Sequence, residues 1–249
     1  MSDRPGETRA LRRLDVGIFL ASFTVLLVEL LLTRILSVTM FHHFSFLAVA
    51  VAMTGLGASG LAVTLWPGRF SAHSLPRVGR MAALTFAITA VLVVGIAFRI
   101  PIRLEMTAGN WVNVLAVFVI SVVPFTAGGL VIAMILSHNT RHASRLYGID
   151  MIGAGAACLF FIPVTNLVGA PTAVIVASAV AALSGAALSG GAAPGVQRAC
   201  LFGAGGFTLL AALNTQVPFF DVRVAKGMDQ PGTLGGPADP LPWYGTVEL

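Results

Sequence analysis

The sequence predicts an all-α fold, a polytopic transmembrane bundle of about seven helices within a range of six to eight. Three observations carry this. First, 57% of the residues are hydrophobic and only 10% are charged, whereas a soluble domain carries roughly 25% charged residues on a surface that faces water. Second, mean hydropathy is +0.90, and the apolar residues fall in runs of about twenty, the length that crosses a hydrocarbon core at 1.5 Å per residue. Third, the runs do not show the short alternating segments of a membrane β-barrel.

The runs follow in order. Residues 1–14 form a polar segment with Arg4, Arg9, Arg12 and Arg13, read as cytoplasmic. The first apolar run, 15–38, is too long for the apolar core of a signal peptide and lacks a small-residue cleavage site, so it is expected to be a retained helix. A second run covers 43–66 and stops at Pro67-Gly68. The polar stretch 69–80 reads as a loop, followed by a third helix over 81–98 and a fourth over 111–136. A basic, histidine-bearing loop spans 137–145. The fifth run, 146–168, closes at Gly169-Ala170-Pro171, and the sixth, 172–188, is rich in Ala, Gly and Ser. A seventh run occupies 200–217. The transmembrane domain is therefore expected over 15–217. Residues 218–249 contain five prolines, many glycines and no periodic apolar pattern, which predicts a disordered or loop-like tail unable to bury a core.

The net charge of +5 is explained by topology. Ten Arg or Lys residues fall on one side of the runs: four before the first helix, then Arg69, Arg77, Arg80, Arg141, Arg145 and Arg198. Only Arg99 and Arg103 fall in the loops of the other side. The positive-inside rule then places the N-terminus in the cytoplasm. No basic stripe with interleaved aromatics supports nucleic acid as a partner. The lipid bilayer is the partner that composition requires. Cys158 and Cys200 lie in separate apolar runs without metal-type spacing and read as small packing residues. His138 and His142 are four apart but lack a third ligand nearby, so no metal site is expected. No catalytic motif is present, and no cofactor is expected in this chain.

Polar residues within apolar runs are the candidates for function, because a charge in the bilayer needs a partner or a cavity. Glu29 and Arg34 sit near the far end of the first run, about 140° apart around a helix, which makes direct pairing awkward. Each is expected either to pair with another helix or to line a polar pocket. Asp150 lies at the start of the fifth run, where it either caps the helix dipole or faces a partner. Gly55, Gly57 and Gly60 on the second run, and Gly153 and Gly155 on the fifth, read as surfaces for close helix packing. The pair Gly153 and Ala157 would let a neighbour approach closely enough to meet Asp150.

Several motifs in order resemble the membrane-embedded N-terminal region of bacterial spermidine-synthase-like proteins. They are Glu29-Leu-Leu-Leu-Thr33-Arg34, His43-Phe-Ser-Phe-Leu-Ala, Met53-Thr-Gly-Leu-Gly57-Ala-Ser-Gly60, Pro124-Phe-Thr-Ala-Gly128-Gly129 and Arg145-Leu-Tyr147-Gly-Ile-Asp150-Met-Ile-Gly153-Ala-Gly155. The resemblance covers roughly residues 15–215. It implies a bacterial inner-membrane location and Glu29, Arg34, Tyr147 and Asp150 as the polar motif residues. It further implies a cytosolic aminopropyltransferase-like domain or subunit as partner and a small amine as ligand. The Gly-rich loop and acidic residues of that enzymatic half are not in this sequence, so synthase activity does not carry over, and no catalytic residue is assigned. The tail from Leu241 to Leu249 looks like a linker into such a domain, as in a truncated or fragmentary product or one half of a split system. A cytosolic domain after the tail requires an even number of crossings, in conflict with seven.

Two functions compete on this reading. One is a membrane anchor or sensor that binds an amine or a lipid-soluble ligand, an acidic pocket formed by Glu29 and Asp150 being suited to an amine, although Glu29 is expected toward the outer half and Asp150 toward the inner half. The alternative is a small-molecule transporter, since Pro76-Arg77-Val78-Gly79-Arg80 resembles the basic loop of major-facilitator transporters and the chain would match half of that fold. A third option is a scaffold in which the polar residues only join helices.

Overall fold

The computed structural model describes residues 5–39, 45–97, 108–189 and 194–216. The expected tail 218–249, His43 of the second run and the loop holding Arg99 and Arg103 lie outside the described residues. Seven α-helices follow one another among the described residues: α1 (Pro5–Thr39), α2 (Ser45–Leu65), α3 (Leu75–Ala97), α4 (Ala108–His138), α5 (Ala143–Val168), α6 (Ala170–Leu188) and α7 (Pro194–Gln216). Six of them, α1 to α6, are long and apolar enough to cross a membrane. The chain is an integral membrane protein of the all-α class.

Several helices begin earlier than hydropathy predicts. α1 starts at Pro5 and not at residue 15, α3 at Leu75 and not at 81, and α7 at Pro194 and not at 200. For α1 the reason lies in composition. Hydropathy marks the part of a helix that dwells in lipid, whereas residues such as Glu7, Arg9, Ala10, Leu11 and Arg12 favour helix in water as well. At 35 residues α1 is about 50 Å long, well beyond a hydrocarbon core of about 30 Å. Its first turns therefore project past the apolar layer. The earlier start of α3 also corrects the expected loop over 69–80: Pro76-Arg77-Val78-Gly79-Arg80 forms the first turns of a helix, where a proline without an N–H is tolerated. Likewise His138 ends α4 while His142 lies in a separate 3-10 turn over Thr140–His142, so their spacing does not fall on one helix.

α6 occupies the middle of the bundle, packed against α1, α3 and α7. Of its apolar span 78% is buried, against 17% for α5 at the periphery. Composition explains the difference. Ala173, Ala177, Ser178, Ala181, Ser184 and Gly185 are all buried on α6, and such small side chains let neighbouring backbones close in on every side. The larger side chains come from the surrounding helices: Leu27, Leu31, Phe86 and Phe125 are at most 1% exposed. On the outer faces, Phe46, Leu159, Leu167 and Phe202 are among the exposed large apolar residues, as expected where lipid is the solvent.

The corner between α5 and α6 rests on Gly169, with φ 77° and ψ 159°. This conformation is essentially closed to residues with a Cβ. It lets Val168 end one helix and Pro171 occupy the first turn of the next.

Although α7 falls outside the apolar spans, it lies antiparallel along the length of α6. At one end Cys200 Sγ lies 4.0 Å from Ser189 Oγ. At the other, Asn214 Nδ2 donates to Thr172 Oγ1 at 2.9 Å in a buried contact. The far end of α7 therefore lies opposite the end that holds the start of α1.

Candidate functional site

The polar residues inside the bundle are organised by the seam between α1 and α5. Gly153 opens that seam: a Cβ there would come within 2.6 Å of the Phe19 carbonyl oxygen and 3.2 Å of Phe19 Cα. Only a hydrogen at this position allows the two backbones to approach so closely. One turn earlier on α5, Asp150 accepts a hydrogen bond at Oδ1 from the Ser22 hydroxyl. Both groups are deep in the protein, Ser22 4% and Asp150 9% exposed. No cationic side chain pairs with Asp150 among the described residues.

Two further contacts fix the direction of the seam. Near the start of both helices, Arg145 Nη2 donates to Asp15 Oδ2 at 2.6 Å. Farther along, the Phe23 and Phe160 rings meet edge to face with centroids 6.0 Å apart. α1 and α5 therefore run parallel. The second carboxylate oxygen of Asp15, Oδ1, is buried without a hydrogen-bond partner.

The parallel arrangement separates the four residues singled out by sequence. Tyr147 and Asp150 stand near the start of α5, at the level of Ser22, whereas Glu29 and Arg34 lie toward the other end of α1. Ser22 and Glu29 are seven positions, two turns or about 10 Å of helix axis, apart. Asp150 thus meets Ser22 and not Glu29. Tyr147 is 56% exposed on the outer side of α5. Glu29 is half-buried, and its side chain has no hydrogen bond or ion pair among the described residues. The Glu29 carbonyl accepts from Thr33 Oγ1 at 2.9 Å, and Arg34 is exposed.

The glycines divide in the same way. A Cβ at Gly55 would meet Phe125 Cβ at 2.6 Å and the Thr126 backbone nitrogen at 2.8 Å, so α2 and α4 touch there. Gly57, Gly60 and Gly155 have nothing within 4 Å of such an atom. In the resembling motif on α4, Gly128 lies against Val25 and Phe86, and Gly129 against Ser59 and Leu56. These glycines make α4 the meeting point of α1, α2 and α3.

Sequence reasoning did not single out Ser22, Asp15, Ser184 or the Asn214–Thr172 pair. Ser184 Oγ donates to the Gly17 carbonyl at 2.8 Å, joining α6 to α1. A serine in an apolar run usually bonds to its own helix, as Ser178 does to Val174, so Ser22 and Ser184 carry no distinguishing local signal. Asp15 was legible in principle, as an acid at the edge of an apolar run. No family model, characterised protein or solved structure matches the chain.

Proposed function

We propose that this chain is an amine-responsive membrane module of the spermidine-synthase-like class, in which Asp150 receives the ammonium group. The observation that carries this reading is Asp150 itself: a carboxylate 9% exposed inside a membrane helix, held by the Ser22 hydroxyl, with no cationic side chain beside it among the described residues. A carboxylate in that setting needs a counter-charge, because desolvation of a lone ion costs several kcal/mol. A desolvated ammonium supplies both the charge and the donors that complete its hydrogen bonding. Ser22 orients the carboxylate toward the incoming group, and the close backbone contact at Gly153 keeps the two helices near enough for it to do so.

The link to the spermidine-synthase-like class rests on the ordered motifs on α1, α2, α4 and α5. On this reading the synthase-like partner is a cytosolic domain or a separate subunit. Spermidine binding to the purified chain in lipid nanodiscs, measured by calorimetry, tests the proposal. Removing one partner of a buried charge pair costs about 2–5 kcal/mol, so Asp150→Asn is expected to weaken binding by about 30-fold or more. Equal affinity in the variant and the parent would remove the reading.

The transporter alternative has one feature in its favour: Pro124 and Pro163 lie inside α4 and α5, and each removes a backbone hydrogen bond of the kind that broken transport helices lack. Amine flux into proteoliposomes that is abolished by Asp150→Asn would select it over a static sensor.

A further inference from the structure

At the end of the bundle where α1 begins, a cleft of about 230 Å³ opens between α1, the connection from α2 to α3, and the ends of α4 and α6. Its walls are largely apolar, with Leu14, Leu75 and Leu188 among them, and its polar groups are Arg13, His138 and Asn139. No acidic residue lines it. The Arg13 guanidinium is exposed and makes no hydrogen bond or ion pair among the described residues. Its polar neighbours are fixed by their own bonds. His138 Nε2 lies 2.6 Å from the Phe70 carbonyl oxygen; a carbonyl only accepts, so Nε2 carries the proton. Asn139 Nδ2 donates to the Ile135 carbonyl at 2.8 Å, which leaves the Asn139 side-chain oxygen without a hydrogen-bond partner among the described residues. Two further exposed arginines neighbour the lining residues in sequence, Arg9 one turn before Arg13 on α1 and Arg77 next to Pro76.

We propose that this cleft binds the phosphate headgroup of an anionic phospholipid, with Arg13 on the phosphate and the leucine walls against the upper part of the acyl chains. The juxtaposition favours a lipid over a soluble anion. A soluble phosphate gains nothing from three leucine side chains, whereas a lipid at the membrane border presents an anion and a hydrocarbon stem together. The neighbouring arginines add to the attraction for anionic lipid near a charged membrane surface. This site is separate from Asp150 and does not depend on amine binding.

The test is thermal melting of the full chain in a neutral detergent with added phosphatidylglycerol, phosphatidylcholine or inorganic phosphate. Phosphatidylglycerol is expected to raise the melting temperature at ratios where phosphatidylcholine does not. Arg13→Gln should raise the half-saturating lipid ratio at least about fivefold, and Ala72→Trp, which fills the cleft without altering charge, should do the same. Arg198→Gln removes an exposed arginine at the same end that does not line the cleft, and it should leave the ratio within about twofold. Equal weakening by Arg198→Gln and Arg13→Gln would reduce the effect to diffuse surface charge and overturn the proposal. Equal stabilisation by phosphatidylcholine, or displacement of the lipid effect by millimolar inorganic phosphate, would overturn it too.

Discussion

Replacement of Gly153 by alanine tests the packing on which the Asp150 site depends. The added Cβ would stand 2.6 Å from the Phe19 carbonyl oxygen and 3.2 Å from Phe19 Cα. Both are backbone atoms of α1, so no side-chain rotation relieves the clash and the helices must separate. Overpacking of this kind costs about 1–3 kcal/mol, and rigid backbone neighbours favour the upper part of that range. Against it stands a gain of about 0.5–1 kcal/mol for replacing glycine within a helix. The net is a loss of about 2 kcal/mol, or about 4–8 °C in Tm for a chain of this size. Gly155→Ala, two positions along the same helix, supplies the control. Nothing lies within 4 Å of its Cβ, so it should hold or raise Tm. Thermal unfolding of the two variants in one detergent, side by side, measures the difference. If Gly153→Ala melts at or above the parent, the close approach of α1 and α5 is wrong, and with it the setting of Asp150.

Other parts of the bundle answer to different perturbations. Gly169→Ala forces a Cβ into a conformation with φ 77° and should destabilise by about 1–3 kcal/mol, read as a fall in Tm; an unchanged Tm would place the corner elsewhere. Ser184→Ala removes the hydroxyl that donates to the buried Gly17 carbonyl and should cost about 0.6–1.7 kcal/mol, whereas Ser178→Ala, whose bond stays within α6, should cost less. The exposed Arg145–Asp15 bridge should contribute under about 1 kcal/mol, and Arg145→Gln should reduce the part of the stability that falls with added salt. In a form lacking the native cysteines, single cysteines at Ser144 and Thr215 should react with an impermeant maleimide from opposite faces of the membrane; labelling from one face would show that α7 does not cross alongside α6.

The apolar runs were legible because a membrane helix must satisfy a length and an apolarity at once, and the runs expected to end at 136, 168 and 188 end at His138, Val168 and Leu188. Polar helix starts were not: Pro5–Leu14 is helical through propensities that hydropathy does not measure, and Leu75–Arg80 is a first helical stretch that admits its proline. Within the candidate site, Asp150 and the small pair Gly153 and Ala157 stood out as isolated exceptions in an apolar context. Ser22 did not, because its role comes from a helix 128 positions away in the chain. Glu29 and Arg34 were equally conspicuous, and their distance from Asp150 follows only from the parallel direction of α1 and α5.

The sequence by itself determined that this protein lives in a bilayer as a set of helices, because removing backbone groups from water leaves a hydrophobic chain no other spanning structure with its hydrogen bonds satisfied. Tertiary structure alone decided which helix is central, which glycines meet a neighbour and which polar groups meet each other. Lipid is as apolar as leucine, so hydrophobicity cannot choose between one helix face and another. That choice falls to close fit and to single hydrogen bonds, such as those of Ser22 and Ser184, which exist only once two distant helices have come together.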